Sequence, residues 1–236
     1  MPRKYIYLII TYVAMQSSGL LVQPFMPLIE NQDVFIVAWS VMTFAVALVI
    51  CLIILRHEMK DFFQLREKKI GSIILWSFLG IILVMISQYT AIIIEQVVFG
   101  IKPGSKNTMD LMNVARQAPI FIVIISVLGP ILEELVFRKA IFGSLYKRMN
   151  FFFAALLSGV IFAAVHMDFE HILTYTAIGM VFAFLYVETK RIIVPIIAHM
   201  AINTFAVIGQ LSMDPEEIER QMEKMEQLMM ILIGGQ

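Results

Sequence analysis

Residues 130–138 read PILEELVFR and place two adjacent glutamates and an arginine inside a strongly apolar stretch. An ionisable side chain at the centre of a bilayer costs roughly 2.5–3.5 kcal/mol even on the lenient insertion scale. A chain that keeps Glu133, Glu134 and Arg138 in such a place is expected to use them. The stretch therefore predicts a membrane helix that carries part of a polar site.

The composition extends this prediction to most of the chain. Of its 236 residues 60% are hydrophobic, and the mean hydropathy is +0.85, whereas ordinary soluble domains are about 45–50% apolar. A spanning helix needs about 20 mostly apolar residues. Seven stretches approach that length, the fifth only marginally: 5–29, 34–55, 71–100, 118–146, 151–167, 170–188 and 192–211. The sequence predicts an all-α, polytopic membrane helix bundle of about seven transmembrane helices.

The positive charges predict an orientation. Lysine and arginine cluster before the first stretch, between the second and third, at the end of the fourth, and between the sixth and seventh. Under the positive-inside rule these alternate connections are cytoplasmic, so we expect the N-terminus inside and the C-terminus outside. The loop 101–117 is an exception, since it carries Lys102, Lys106 and Arg116.

Composition also limits the partners. The net charge is zero, so no basic surface indicates nucleic acid, and the lipid bilayer is the expected surrounding. A single cysteine, Cys51, excludes an intramolecular disulfide. Short loops and the charge pattern favour a multi-pass protein of a bacterial cell membrane.

Three regions differ in what they indicate. Residues 1–117 predict transmembrane helices without a readable motif, and residues 118–211 hold the polar motifs. Residues 212–236 predict an amphipathic C-terminal tail. Its helix would begin with Asp214 as N-cap, Pro215 at the first position and Glu217 completing a capping box.

The two glutamates of the fourth stretch differ in their helical neighbours. Arg138 follows Glu134 by four residues, so the two share a helix face and can pair, whereas Glu133 is rotated away. Glu134 is thus suited to hold the helix, and Glu133 to act as a general base. Pro130 cannot donate to the carbonyl of Ser126, which predicts an opening or kink there. Taken alone, the pattern fits a structural Glu–Arg pair equally well.

Two further polar motifs fall in later apolar stretches. His166 follows Phe162 by four residues, and Asn203 follows His199 by the same interval. Counted from the cytoplasmic helix ends at 1.5 Å per residue, Glu133 lies ~21 Å deep, His166 ~24 Å and His199 ~12 Å. All three depths fall inside the ~30 Å core. The three helices are therefore expected to form one site, with His199 shallower than the others.

Two observations limit the histidine chemistry. His171 follows His166 by five residues, on a different helix face, so it is expected to be a packing or hydrogen-bonding residue. The His-Glu-x-x-His signature of zinc proteases does not occur in the chain.

The order Glu-Glu-x-x-x-Arg, Phe-x-x-x-His and His-x-x-x-Asn resembles the CAAX protease and bacteriocin-processing family of intramembrane endopeptidases, also called the Abi family. The match covers roughly residues 118–211. It implies a membrane-embedded peptidase that cleaves a membrane-associated peptide or protein by a glutamate-dependent mechanism. By position it implies that Glu133 and His166 activate the attacking water, that His199 and Asn203 form the oxyanion site, and that Glu134 and Arg138 support Glu133, with Phe162 as a further supporting residue.

Two alternatives remain open. Glu133, Glu134, His166 and His199 together have the donor types of a zinc site. Using Glu133 and His166 as ligands leaves no separate base, so a mechanism without a cofactor is favoured. The second alternative is a non-catalytic membrane scaffold or transporter-like protein, because intramembrane glutamate and histidine are equally typical of transporters. Transporters often show inverted repeats, and no repeat is visible in this sequence.

Overall fold

A computed structural model describes residues 1–63 and 70–213, together with Glu217, Arg220, Gln221, Lys224 and Gln227. It confirms an all-helical bundle. The amphipathic tail predicted from Asp214 lies almost wholly outside the described residues. The helices are α1 Arg3–Val22, α2 Gln32–Phe63, α3 Ile70–Phe99, α4 Lys106–Gln117, α5 Pro119–Leu145, α6 Phe151–Val165, α7 Ile172–Thr189 and α8 Ile193–Leu211.

Six of these helices are long and apolar enough to cross a membrane: α1 with its 3₁₀ extension to Leu28, α2 to Glu58, α3, α5, α7 and α8. The fifth apolar stretch, which was marginal in length for a span, corresponds to α6. Its 15 residues extend ~22 Å. That is less than the ~30 Å thickness of the hydrocarbon core. The described bundle therefore has six candidate spans and one short apolar helix.

The connection 101–117, predicted as a loop, contains helix α4. The Ser105 hydroxyl caps it by accepting the N–H of Thr108 at 3.2 Å. Met112 on its apolar face is buried against the end of α8. Arg116 donates to the carbonyl of Gln210 in the last turn of α8 and, at 3.0 Å, to that of Met213 just beyond the helix. A twelve-residue amphipathic helix has too low a mean hydropathy to stand out in a search for spans.

An ion-pair cluster joins three helices at one end of the bundle. The carboxylate of Glu58 in α2 pairs with Lys4 of α1 and, at 2.7 Å, with Lys139 of α5. The N-terminal end of α1 and the C-terminal halves of α2 and α5 thus lie at the same end of the bundle. This agrees with the alternating positive charges of the sequence, which place these regions on one side of the membrane. Which side of the membrane this is stays a prediction.

Helix α5 changes its hydrogen-bond pattern around Pro130. It contains π-helical segments at Ile124–Leu128 and Glu134–Phe142, separated by the α-helical turn Gly129–Glu133. The N–H of Gly129 bonds to the carbonyl five residues earlier, at Ile124. By this π-type count the missing N–H of Pro130 falls opposite Ile125. The change of hydrogen-bond pattern lies where the sequence predicts an opening or kink, and the π-type count adds Ile125 to Ser126 as a carbonyl that Pro130 cannot serve.

Glycines allow α6 and α7 to approach closely beside the buried polar residues. A Cβ at Gly159 would lie 2.9 Å from the carbonyl oxygen of Thr176, and one at Gly179 would lie 3.0 Å from the Cα of Gly159. The same position at Gly179 is 3.5 Å from a guanidinium nitrogen of Arg138. Small residues serve helix contacts in membranes in this way.

We expect Gly159→Ala to destabilise the protein by about 1–3 kcal/mol, because the new methyl meets backbone that cannot move aside locally. Gly19→Ala is the matched control, since nothing lies within 4 Å of its Cβ position. Alanine there should leave stability unchanged or raise it by up to about 1 kcal/mol. Thermal midpoints in detergent compare the two, and an equal midpoint would contradict the close contact.

Candidate active site

One cavity of about 430 Å³ lies among the helices, and four side chains predicted from the motifs line it. They come from three different helices: Glu133 from α5, His166 from the end of α6, and His199 and Asn203 from α8. The first π segment of α5 contributes Ile124 and Ile125 to the lining, and the second begins immediately after Glu133. Three sequence motifs separated by up to 70 residues therefore meet in one place.

The adjacent glutamates occupy different environments. The side chain of Glu134 is fully buried, whereas that of Glu133 is 16% exposed and faces the cavity. Oε1 of Glu134 lies 3.1 Å from Nη1 of Arg138, which is the i, i+4 pair predicted from the spacing. The same oxygen accepts a hydrogen bond from Nδ1 of His199 at 2.8 Å. Glu134 therefore reaches the cavity through His199, a contact that the spacing of α5 did not indicate.

The guanidinium of Arg138 is buried between aromatic rings. Its centre lies 4.3 Å from the ring centroid of Phe162 and 4.9 Å from that of Phe182. The faces of these rings attract a cation, and the attraction strengthens where water is excluded. With Glu134 as counter-charge, the arginine is compensated without contact with solvent.

His199 is held in one orientation by contacts on several sides. Its ring stacks on Phe182 with centroids 4.7 Å apart. Because Nδ1 donates to Glu134, Nε2 is directed towards the carboxylate of Glu133, 3.6 Å away. The shallower position predicted for His199 is wrong, since the two side chains lie side by side. Counting residues from charged helix ends ignores helix tilt and the different depths at which those ends lie.

His166 follows the last residue of α6, where the chain turns, and the next residue, Met167, has a φ of 55°. Nδ1 of His166 lies 2.8 Å from the carbonyl oxygen of Phe162. A carbonyl only accepts, so Nδ1 carries the hydrogen in this contact. In the neutral ring Nε2 then keeps its lone pair and can accept a proton or a hydrogen bond from water.

Asn203 makes a contact that its spacing did not reveal. Its amide nitrogen donates to the carbonyl oxygen of Ile125 at 3.0 Å. This is the carbonyl that Pro130 leaves without a backbone donor in the π-helical segment of α5. The amide has two N–H groups, so this bond leaves a second one for another acceptor. Asn203 thus joins α8 to α5 and also lines the cavity.

The alternative zinc ligands do not converge on one point. Oε1 of Glu134 already contacts both Arg138 and His199, so a cation there would face an adjacent guanidinium. Within the part of the chain that the structure describes, no group of three His, Cys, Asp or Glu side chains is arranged to hold a metal ion. We therefore derive no chemical step through a metal.

The sequence interpretation missed a buried carboxylate in α3. Glu95 accepts hydrogen bonds from the N–H and hydroxyl of Thr174, at 2.9 and 2.8 Å, and lies 2.9 Å from Nδ1 of His171. Nε2 of His171 lies 3.1 Å from the carbonyl of Gly104. His171 is a hydrogen-bonded residue, as predicted, and it lines the same cavity. The available signal was that Glu95 is the single charged residue in 71–100.

Comparisons with known proteins agree with the motifs. Residues 115–205 match the family model of type II CAAX prenyl endopeptidase Rce1-like proteins. The chain is similar to the Putative membrane peptidase YdiL of Bacillus subtilis (strain 168), 44% identical, with 100% of this chain and 99% of that protein aligned. It is also similar to the Membrane-embedded CAAX protease MroQ of Staphylococcus aureus (strain USA300), 35% identical with 92% of each chain aligned. No solved structure matches the chain.

The family model spans every motif residue from Glu133 to Asn203. The two bacterial relatives extend the similarity through α1–α4, which carry no motif. With its apolar helices, the chain is a multi-pass membrane protein. It belongs to the Rce1-like CAAX protease family of membrane proteases.

Proposed function

We propose that the chain is an intramembrane endopeptidase that hydrolyses a peptide bond of a membrane-associated peptide or protein. The observation that carries this proposal is the convergence of Glu133, His166, His199 and Asn203 on one cavity. Amide hydrolysis needs a base, a water molecule and hydrogen-bond donors directed at the developing oxyanion. These four side chains supply the required chemical groups.

Glu133 and His166 activate the water. The carboxylate of Glu133 is partly exposed to the cavity, and Nε2 of His166 has its lone pair available because Nδ1 donates to the Phe162 carbonyl. A water held by both groups transfers a proton to Glu133 as its oxygen attacks the carbonyl carbon. The protonated carboxyl then returns this proton to the leaving amine.

His199 and Asn203 bind the oxyanion. When His199 is doubly protonated, Nδ1 donates to Glu134 and Nε2 can donate to the oxygen that gains charge. The Glu134 carboxylate stabilises this imidazolium and also pairs with Arg138. The second N–H of Asn203 is the other donor. The pair Glu134–Arg138 thus acts on the oxyanion side of the site.

Glu133→Gln should abolish cleavage of a reconstituted membrane peptide while leaving the folded yield near normal, because a neutral amide cannot accept the proton. General-base catalysis typically contributes about 10²–10⁴-fold. Glu134→Gln should lower turnover and also folded yield, because breaking a buried ion pair costs about 3–5 kcal/mol. Glu188→Gln, on the exposed end of α7, is the control with no expected effect.

Cleavage assays, detergent-extracted yield and thermal midpoints measured on the three variants separate these roles. An equal loss of yield in Glu133→Gln and Glu134→Gln would reject the division between the two glutamates. Normal cleavage in Glu133→Gln would reject the proposed function itself and favour the scaffold interpretation.

Asn203→Ala should lower turnover by about 10²–10³, the usual effect of losing one oxyanion donor. It should also reduce stability by about 1–3 kcal/mol, because the Ile125 carbonyl loses its donor. Pro130→Ala returns a backbone N–H to α5. In the double variant we therefore expect stability to recover while turnover stays low. Turnover that recovers together with stability would show that Asn203 acts only through the fold.

We propose that the reaction uses no metal cofactor, because Glu134 is already engaged with Arg138 and His199 and no three candidate ligands of the described residues are arranged around one point. Strong chelators should leave turnover unchanged, and elemental analysis of the purified protein should find no stoichiometric zinc. About one zinc per chain, lost together with activity in His166→Ala, would replace this mechanism with a metalloprotease mechanism.

A further inference from the structure

Tyr175 of α7 covers the ring of His166. The two rings are stacked, with centroids 4.3 Å apart and planes inclined by 28°. The edge of Phe162 contacts the imidazole from another direction, with centroids 4.6 Å apart. The Nδ1 bond to Phe162 selects which nitrogen carries the hydrogen, and the stacked ring of Tyr175 restricts how the imidazole can tilt.

The hydroxyl of Tyr175 is held at the start of α4. It lies 2.9 Å from the Ser105 hydroxyl, and it accepts a hydrogen bond from the amide of Asn107 at 3.3 Å. A phenol can accept one bond and donate another, so both contacts can be made together. The ring is therefore fixed at the end that points away from its own helix.

The backbone end of Tyr175 is fixed through the two hydrogen bonds that Thr174 makes to Glu95. The N–H of Thr174 lies in the first turn of α7, where backbone donors lack a partner within the helix. Glu95 of α3 accepts this N–H and the Thr174 hydroxyl, and an anion is favourable at a helix N-terminus. The residue immediately after Thr174 is Tyr175. Its backbone and its hydroxyl are thus held by two different helices.

We propose that Tyr175 is a positioning residue for His166 and links the imidazole to the start of α4. This inference rests on the proposed role of His166 in activating water. The tyrosine makes no contact with the reacting atoms in this scheme, and it acts by holding Nε2 of His166 towards the water. Asn107 also lines the cavity, so a substrate that contacts its amide acts on the same hydrogen bond that anchors the tyrosine.

The test compares Tyr175→Leu with Tyr175→Phe. Leucine removes the stacked ring, and kcat should fall about 10–100-fold with KM changed less than about twofold, because a small misplacement of a catalytic group has effects of this size. Phenylalanine keeps the ring and should restore kcat to within about 2–5-fold of the wild type, since only the hydroxyl bonds are lost. Tyr89→Leu, on the exposed face of α3, is the control and should change neither constant.

A second measurement does not depend on turnover. Diethyl pyrocarbonate modifies neutral histidine, and mass spectrometry of peptides gives the rate at His166. We expect this rate to rise severalfold in Tyr175→Leu and to stay near the wild-type value in Tyr175→Phe. An unchanged rate together with an unchanged kcat in Tyr175→Leu would overturn the inference. Normal turnover in His166→Ala would reject the proposed function, while the modification rates would still decide whether Tyr175 orients His166.

A third comparison applies even if Tyr175→Leu does not fold. Tyr175→Phe and Asn107→Ala both break the bond between the phenol and the amide while the aromatic ring remains. Each should lower kcat about 2–5-fold, and the double variant should lose no more than Tyr175→Phe alone, because the phenylalanine has already removed the hydrogen bond that Asn107 makes. Fully additive losses, or no loss in either variant, would overturn the link to α4.

Discussion

The buried charge of Arg138 is the constraint on which the rest of the site depends. An uncompensated charge at a buried position costs several kcal/mol, so its partners must be in place for the bundle to be stable. Those partners also touch the histidines: Glu134 bonds to His199, and Phe162, whose ring covers the guanidinium, accepts from His166 through its carbonyl. The contacts that neutralise the arginine are therefore the contacts that orient the catalytic candidates.

Spacing along one helix predicted contacts within that helix. A helical period of 3.6 residues predicts that Glu134 pairs with Arg138. It also predicts that His199 and Asn203 lie on one face of α8. Contacts between helices did not follow, because spacing contains no information on tilt or relative rotation. For this reason the bond from His199 to Glu134, and the one from Asn203 to Ile125, emerged only from the structure.

The part of the cavity lined by the start of α4 and by His171 was the least predictable. The segment 101–117 was predicted as a loop because a short amphipathic helix lacks the hydropathy of a span. Glu95 was visible as a lone acid in an apolar stretch, but its partners His171 and Thr174 lie 76 and 79 residues further along the chain. The sequence can indicate that an acidic residue is buried. Its hydrogen-bond partners depend on how helices that are distant in the sequence pack against it.

The bond between Asn203 and Ile125 has a consequence for the synthesis of the protein. Ile125 enters the membrane 78 residues before its donor, and a backbone carbonyl in hydrocarbon without a partner costs several kcal/mol. The π-helical form of α5 is therefore less stable in an isolated inserted segment than in the complete bundle. The Ile125 carbonyl gains its amide donor only after α8 has been inserted, and the site proposed for proteolysis is complete only then. A nascent chain that is still being inserted therefore lacks the complete proposed site.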